Sequence, residues 1–162
     1  MKVRDVMMRT AAHCSRNTNL AAAVETMWSR NCGILPIIDA ERKVIGVVTD
    51  RDICIALGTR NKLPGEITVG EVMTGRLFTC TPDEDVRVAL GTMGRAKVRR
   101  LPVVTVEGKL EGILSMDDLV VHSRARLGDR MIELSYDDVV ETLKRVYRAD
   151  LPEIVRERVA AA

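Results

Sequence analysis

The chain has 162 residues, 46% of them hydrophobic and 30% charged, with a formal net charge of +2, the balance of a globular protein of one or two small domains. At this length folding buries roughly two-thirds of the surface that the unfolded chain exposes, so a core forms without disulfides or a metal. No apolar stretch approaches the roughly 20 residues of a membrane-spanning helix, no apolar signal core opens the chain, and an aromatic share of 2% excludes the stacking platforms of single-stranded nucleic-acid binders.

In chain order, a leading segment with Val3, Val6 and Met7 precedes an apolar stripe, Leu20, Ala23, Val24, Met27 and Trp28, whose spacing predicts an amphipathic helix with one buried face. Asn19 is its N-cap. Two β-branched runs, Ile34 to Ile38 and Val44 to Val48, flank a polar turn and predict a hairpin. A second helix opens at Asp50 and carries Ile53, Ile55, Ala56 and Leu57. Pro64-Gly65 and neighbouring charged residues then mark a surface linker.

After the linker the pattern starts again. At an offset of 66 residues, positions 3–55 align without a gap on 69–121, and 13 of the 53 pairs are identical, among them Cys14 with Cys80, Met27 with Met93, Leu35-Pro36 with Leu101-Pro102, Gly46 with Gly112 and Asp52 with Asp118. In the second copy Asp85 caps the stripe Val86, Ala89, Leu90 and Met93. The hairpin runs are Leu101 to Val106 and Leu110 to Leu114, and the closing helix opens at Met116 with Leu119, Val120 and Val121. The predicted class is α+β, with one repeat unit over 1–60, a linker over 61–67, a second unit over 68–124 and a helical extension over 125–162. In the extension Ser135 caps a stripe of Val139, Val140, Leu143, Val146 and Tyr147, and a short further helix is expected from Asp150 and Pro152. That stripe needs a partner surface, on its own chain or on a second subunit.

The four cysteines, Cys14, Cys32, Cys54 and Cys80, form no CxxC pair, and His13 and His122 are the chain's two histidines, so a zinc site is not expected. The cysteines are expected as buried small hydrophobes in a reducing compartment, which places the protein in the cytoplasm.

Both copies run from the second hairpin strand into a helix through one pattern: Gly46-Val47-Val48-Thr49-Asp50-Arg51-Asp52, and Gly112-Ile113-Leu114-Ser115-Met116-Asp117-Asp118. A hydroxyl followed three residues later by an acid is a helix cap. The same pair also suits a ribose, because a carboxylate accepts from two vicinal hydroxyls, and the glycine permits close backbone approach. The two roles are compatible.

On these residues, together with the leading Val-x-x-Val-Met segments and the Leu-Pro-Ile and Leu-Pro-Val strands, residues 3–123 resemble the CBS-domain family, specifically a tandem CBS pair or Bateman module. The resemblance implies β-α-β-β-α units, two of them forming a flattened disc about a pseudo-twofold axis, and adenosine ligands such as AMP, ADP, ATP, NAD or S-adenosylmethionine held in two clefts. By position, Thr49 with Asp52 and Ser115 with Asp118 would hold the riboses. Val47, Phe78 and Val98 would flank one adenine, and Ile113, Ala12 and Cys32 the other. Arg99 and Arg100 stand where similar proteins place phosphate-binding side chains and would serve the Thr49–Asp52 cleft, with Arg51 serving the Ser115–Asp118 cleft. The other reading of Arg95, Lys97, Arg99 and Arg100 is a solvated basic face.

These features predict a non-catalytic regulatory sensor of adenine nucleotides, a homodimer by resemblance, without a membrane partner. The alternatives are a ligand-free interaction scaffold or a nucleic-acid binder. A pI near 8.4 falls short of a dedicated nucleic-acid footprint. Neither a phosphate-binding glycine loop nor a recognisable nucleophile–base set supports an enzyme.

Overall fold

The switch from helical to alternating hydrophobic period sets the order of elements. In the computed structural model, which describes residues 1–125 and 133–147, a 3-10 turn at Val3–Asp5 precedes helix α1 (Leu20–Ser29), strands β1 (Ile34–Ile38) and β2 (Val44–Thr49) and helix α2 (Asp50–Arg60). The order returns as α3 (Val69–Val72), α4 (Val86–Ala96), β3 (Arg100–Val104), β4 (Leu110–Ser115) and α5 (Met116–His122), followed by α6 (Tyr136–Tyr147). The helix expected from Asp150 and Pro152 lies outside the described residues. Each hairpin is its own two-stranded sheet, so the class is α+β.

Local chemistry fixes the boundaries. Asn19 Oδ1 accepts from the amide of Ala22 at 2.9 Å and Asp85 Oδ1 from that of Arg87 at 2.9 Å, satisfying amides that a helix start otherwise leaves without partners. β1 and β2 run antiparallel with Leu35 opposite Val48 and Ile37 opposite Gly46. In β2, Val44, Gly46 and Val48 are buried and alternate with half-buried Ile45, Val47 and Thr49, the period of two expected of a half-covered strand. The leading strand expected in the first repeat is reduced to a single parallel bridge from Cys14 to Ile37, with Cys14 N donating to Pro36 O at 3.0 Å and Ile38 N to Cys14 O at 2.9 Å.

The chain folds into two compact units. Among the described residues, the first holds 1–8, 80–101, 113–125 and 133–147, and the second holds 9–79 and 102–112. Each is completed by the leading segment of the other repeat. In the second unit, Leu20 N donates to Ile67 O at 2.9 Å, Val69 N to Thr18 O at 2.8 Å and Thr74 N to Val47 O at 3.2 Å. In the first, the bonds at the equivalent positions run from Val86 N to Met1 O at 3.1 Å, Val3 N to Glu84 O at 2.9 Å and Met8 N to Ile113 O at 2.9 Å.

The second unit's core gathers Leu20, Ala23, Met27, Leu35, Ile37, Val48, Ile53, Ala56, Ile67 and Val69. In the first unit Val3, Val86, Ala89, Met93, Leu101, Leu114 and Leu119 are buried, with Leu134, Val139 and Val146 from the extension. Each fully buried Leu or Val side chain contributes about 1.5–3 kcal/mol relative to exposure.

Helix α6 buries part of the C-terminal stripe within its own unit: Val139 and Val146 are buried, whereas Val140 and Tyr147, expected on the same face, are exposed. It packs on α4, with Arg145 and Thr142 so close to Gly94 that a Cβ there would sit 3.3 Å from Arg145 Cδ. The repeat-equivalent face of α1 has no such cover among the described residues. Leu90, beneath α6, is 3% exposed, whereas its counterpart Val24 is 43% exposed, and Trp28, at the position of Gly94, is 87% exposed. The apolar stripe of α1 is therefore narrower than its spacing predicts: Leu20, Ala23 and Met27 are buried and Val24 and Trp28 are not. Ile55, Val120 and Val121 are likewise exposed. Cys14 and Cys80 are buried as expected, but Cys32 is half-buried and Cys54 faces solvent on α2.

Candidate functional site

At the end of β2, Thr49 ends the strand in extended backbone and caps α2. Its amide and hydroxyl donate to Asp52 Oδ2 at 2.9 and 2.7 Å, and Asp52 N donates back to Thr49 Oγ1 at 3.2 Å. At the end of β4 the arrangement recurs. Ser115 N and Oγ donate to Asp118 Oδ2 at 2.8 and 2.6 Å, and Asp118 N donates to Ser115 Oγ at 3.2 Å. Both carboxylates are half-buried. Each spends one oxygen on the cap, and Oδ1 accepts no hydrogen bond among the described residues, which leaves an acceptor edge for an incoming hydroxyl pair.

Backbone bonds pin both turns. Asp50 N donates to Gly33 O at 3.2 Å, and at the equivalent place Met116 N donates to Arg99 O at 2.8 Å. A Cβ on Gly33 would lie 2.9 Å from Asp50 Oδ2, so that glycine makes room for the first acid of α2. Gly46 does not serve a ligand's approach as the sequence suggests. A Cβ there would collide with Met73 Cε and lie 3.2 Å from Thr74 O, so the space is taken by the leading segment of the second repeat. No sequence signal pairs Gly46 with Met73, because the two meet only through the exchange of segments.

The second unit contains Thr49, Asp52, Arg51, Val47, Phe78, Ala12 and Cys32, and the first contains Ser115, Asp118, Ile113, Val98, Arg99 and Arg100. Val47, Phe78, Val98, Ile113, Ala12 and Cys32 are all half-buried, so each keeps apolar surface exposed. Arg51 and Arg99 are exposed. Arg100 Nη2 lies 3.9 Å from Asp117 Oδ2, and Arg99 Nη1 donates to the Tyr147 hydroxyl at 3.3 Å. These exposed contacts are worth little in stability. His13 and His122 direct Nδ1 to the carbonyls of Ala11 and Asp118, at 3.2 and 2.8 Å. Among the described residues no group of His, Cys, Asp and Glu is arranged to hold a metal ion, and no helix is long and apolar enough to cross a membrane.

A protein-family model described as the CBS domain matches residues 3–59 and again 69–124. The chain belongs to the CBS domain family. The uncharacterised protein MJ1225 of Methanocaldococcus jannaschii is 32% identical over 118 residues, covering 73% of this chain, which spans 41% of that relative's length. Among solved structures, the CBS domain pair of protein MJ0100 in complex with 5′-methylthioadenosine and S-adenosyl-L-methionine superposes with a TM-score of 0.68 at 26% identity, covering 75% of this chain and 94% of the other. CBSX2 in complex with AMP gives a TM-score of 0.65 at 29% identity, covering 74% and 93%. Two CBS motifs are thus present, each with its hydroxyl–carboxylate turn intact.

Proposed function

We propose that this CBS pair is a regulatory module that binds an adenosine-derived ligand, an adenine nucleotide (AMP, ADP or ATP) or NAD, and acts by binding rather than by catalysis. The observation that carries the reading is the duplicated turn in which Asp52 and Asp118 each keep one carboxylate oxygen clear of the cap. The solved relatives that carry AMP, or methylthioadenosine with S-adenosyl-L-methionine, support the ligand class. In this reading Thr49–Asp52 and Ser115–Asp118 hold riboses, and Val47, Phe78 and Val98, or Ile113, Ala12 and Cys32, rest against the adenines. Arg99 and Arg100 in one cleft, and Arg51 in the other, meet phosphate. A ligand shifts the module toward a signalling shape only by its difference in affinity for the two arrangements. A cytoplasmic homodimer completes the proposal.

A second reading, a ligand-free scaffold, is favoured by one specific observation. Ser135 and Asp138, outside both repeats, form the same hydrogen-bonded turn at the start of α6, with Ser135 N and Oγ donating to Asp138 Oδ2 at 3.0 and 2.8 Å. Capping alone therefore suffices to build this geometry. Thermal unfolding of the full chain with AMP, ADP, ATP, NAD and a guanine nucleotide decides between them: stabilisation by the adenine compounds that is absent from the Asp52→Ala, Asp118→Ala double variant supports the sensor, and equal melting with every ligand supports the scaffold. Nucleic-acid binding would instead appear as salt-dependent retention of duplex DNA.

A further inference from the structure

Outside the hydroxyl–carboxylate turns, the second unit holds a cavity of about 490 Å³ whose lining is strongly basic. Arg9, Thr10 and His13 of the leading segment, Thr26 and Arg30 at the end of α1, and Arg42 with Glu111 all line it. Three arginines and one acidic residue, Glu111, thus line this space, and all four are exposed. Guanidinium stays protonated at any pH the protein meets, so the cavity is a standing excess of positive charge.

The backbone at two of these arginines, Arg30 and Arg42, is fixed by hydrogen bonds. Arg42 sits in the left-handed region, φ 65°, in a turn clamped by Asp39, whose Oδ1 accepts from Glu41 N and Lys43 N at 2.9 Å each. Leu110 N donates to the Arg42 carbonyl at 3.1 Å. The acid beside Arg42 is already committed, because Glu41 Oε2 takes Lys43 Nζ at 2.6 Å. Arg30 caps α1 with its amide on Thr26 O at 3.0 Å. Neither Arg30 nor Arg42 forms an ion pair among the described residues. Helix polarity explains a cation at Arg30, but nothing local explains Arg42.

We propose that this cavity is an anion site for a phosphate or pyrophosphate group, gripped by the planar forks of Arg30 and Arg42. Its volume exceeds what a bare phosphate needs and falls in the range of small-molecule sites, so a phosphorylated small molecule fits as well as a free anion. The site contains neither ribose-binding pair, and it shares only Ala12 with the residues assigned to adenosine, so it stands whether or not that assignment does.

The test is titration calorimetry of the full chain with inorganic pyrophosphate at fixed ionic strength. Arg30→Gln with Arg42→Asn, the latter because asparagine tolerates the left-handed backbone, is expected to weaken binding at least tenfold while the melting temperature stays unchanged. Glu111→Gln is expected to tighten it several-fold, and Asp52→Ala with Asp118→Ala to leave it unaltered. Competition separates the sources: a nucleoside triphosphate that displaces pyrophosphate, while uncharged adenosine does not, marks the anion as the charged end of a larger ligand. Absence of pyrophosphate binding by the wild-type chain, or equal binding by the arginine variant, overturns the proposal.

Discussion

Thr49 and Asp52 hold each other through three hydrogen bonds, yet one oxygen of the Asp52 carboxylate is left clear of all of them. Removing the side chain therefore has two separable effects. Asp52→Ala is expected to cost about 0.5–1.5 kcal/mol through the lost acceptor for the Thr49 amide and hydroxyl and, in the sensor reading, to abolish stabilisation by AMP or ATP. Asp138→Ala loses the equivalent cap at α6 and is expected to lower the melting temperature while leaving the ligand-induced shift intact. Scanning calorimetry of both variants with and without nucleotide checks the pair. A ligand shift that survives Asp52→Ala with Asp118→Ala would refute the ribose assignment.

Trp28 is the chain's one tryptophan and is 87% exposed. Its fluorescence is expected to resemble that of a solvated indole and to be quenched readily by iodide. Trp28→Ala is expected to change stability by less than about 0.5 kcal/mol, whereas Met27→Ala beside it should cost about 2–5 kcal/mol. Denaturant melts of the two variants give the comparison. A blue-shifted, quencher-resistant emission would mean that a second molecule covers this face in solution.

Burial pushes the Cys14 thiol from its ordinary value of 9.0 up to about 11 and, with a further push from Glu84, the Cys80 thiol up to about 12. Both stay protonated and inert near neutrality, so alkylation of the native protein is expected first at exposed Cys54, with Cys14 and Cys80 reacting only on unfolding. The sign for stability follows. The folded state holds these protons more tightly than the unfolded chain, so their contribution is complete below the unfolded value and is lost as pH rises from about 9 toward 11–12. Urea melts across that window should show falling stability, and Cys14→Ala with Cys80→Ala should flatten the slope.

Gly46→Ala places a methyl group against Met73 Cε and the Thr74 carbonyl. The thioether can swing aside but the backbone cannot, so a loss of about 1–3 kcal/mol is expected. Met73→Ala in the same chain should restore part of it, which a double-mutant cycle measures.

Much of this fold was legible because the signals that specify it are local. Asn19, Asp85 and Ser135 satisfy amides within three residues of themselves, and the β-branched run from Ile34 to Ile38 forms β1 to the residue. The duplicated Thr49–Asp52 and Ser115–Asp118 turns could be located for the same reason. What stayed hidden depends on which element covers which. Val24 and Leu90 are both apolar at equivalent helix positions, yet Leu90 is buried on the helix that α6 packs against and Val24 is exposed on α1. Gly46 and Met73 are 27 residues apart in sequence, and Arg30, Arg42 and Glu111, which line one cavity, are also distant along the chain.

The bond from Thr74 to Val47 and its counterpart from Met8 to Ile113 mean that neither repeat owns all the backbone partners it needs. Cutting the chain at Pro64-Gly65 would yield two incomplete fragments, each carrying the piece the other lacks. Such fragments should be soluble and ordered together but not apart, and two identical copies of one ancestral repeat would have had to complete each other in the same way before fusion joined them.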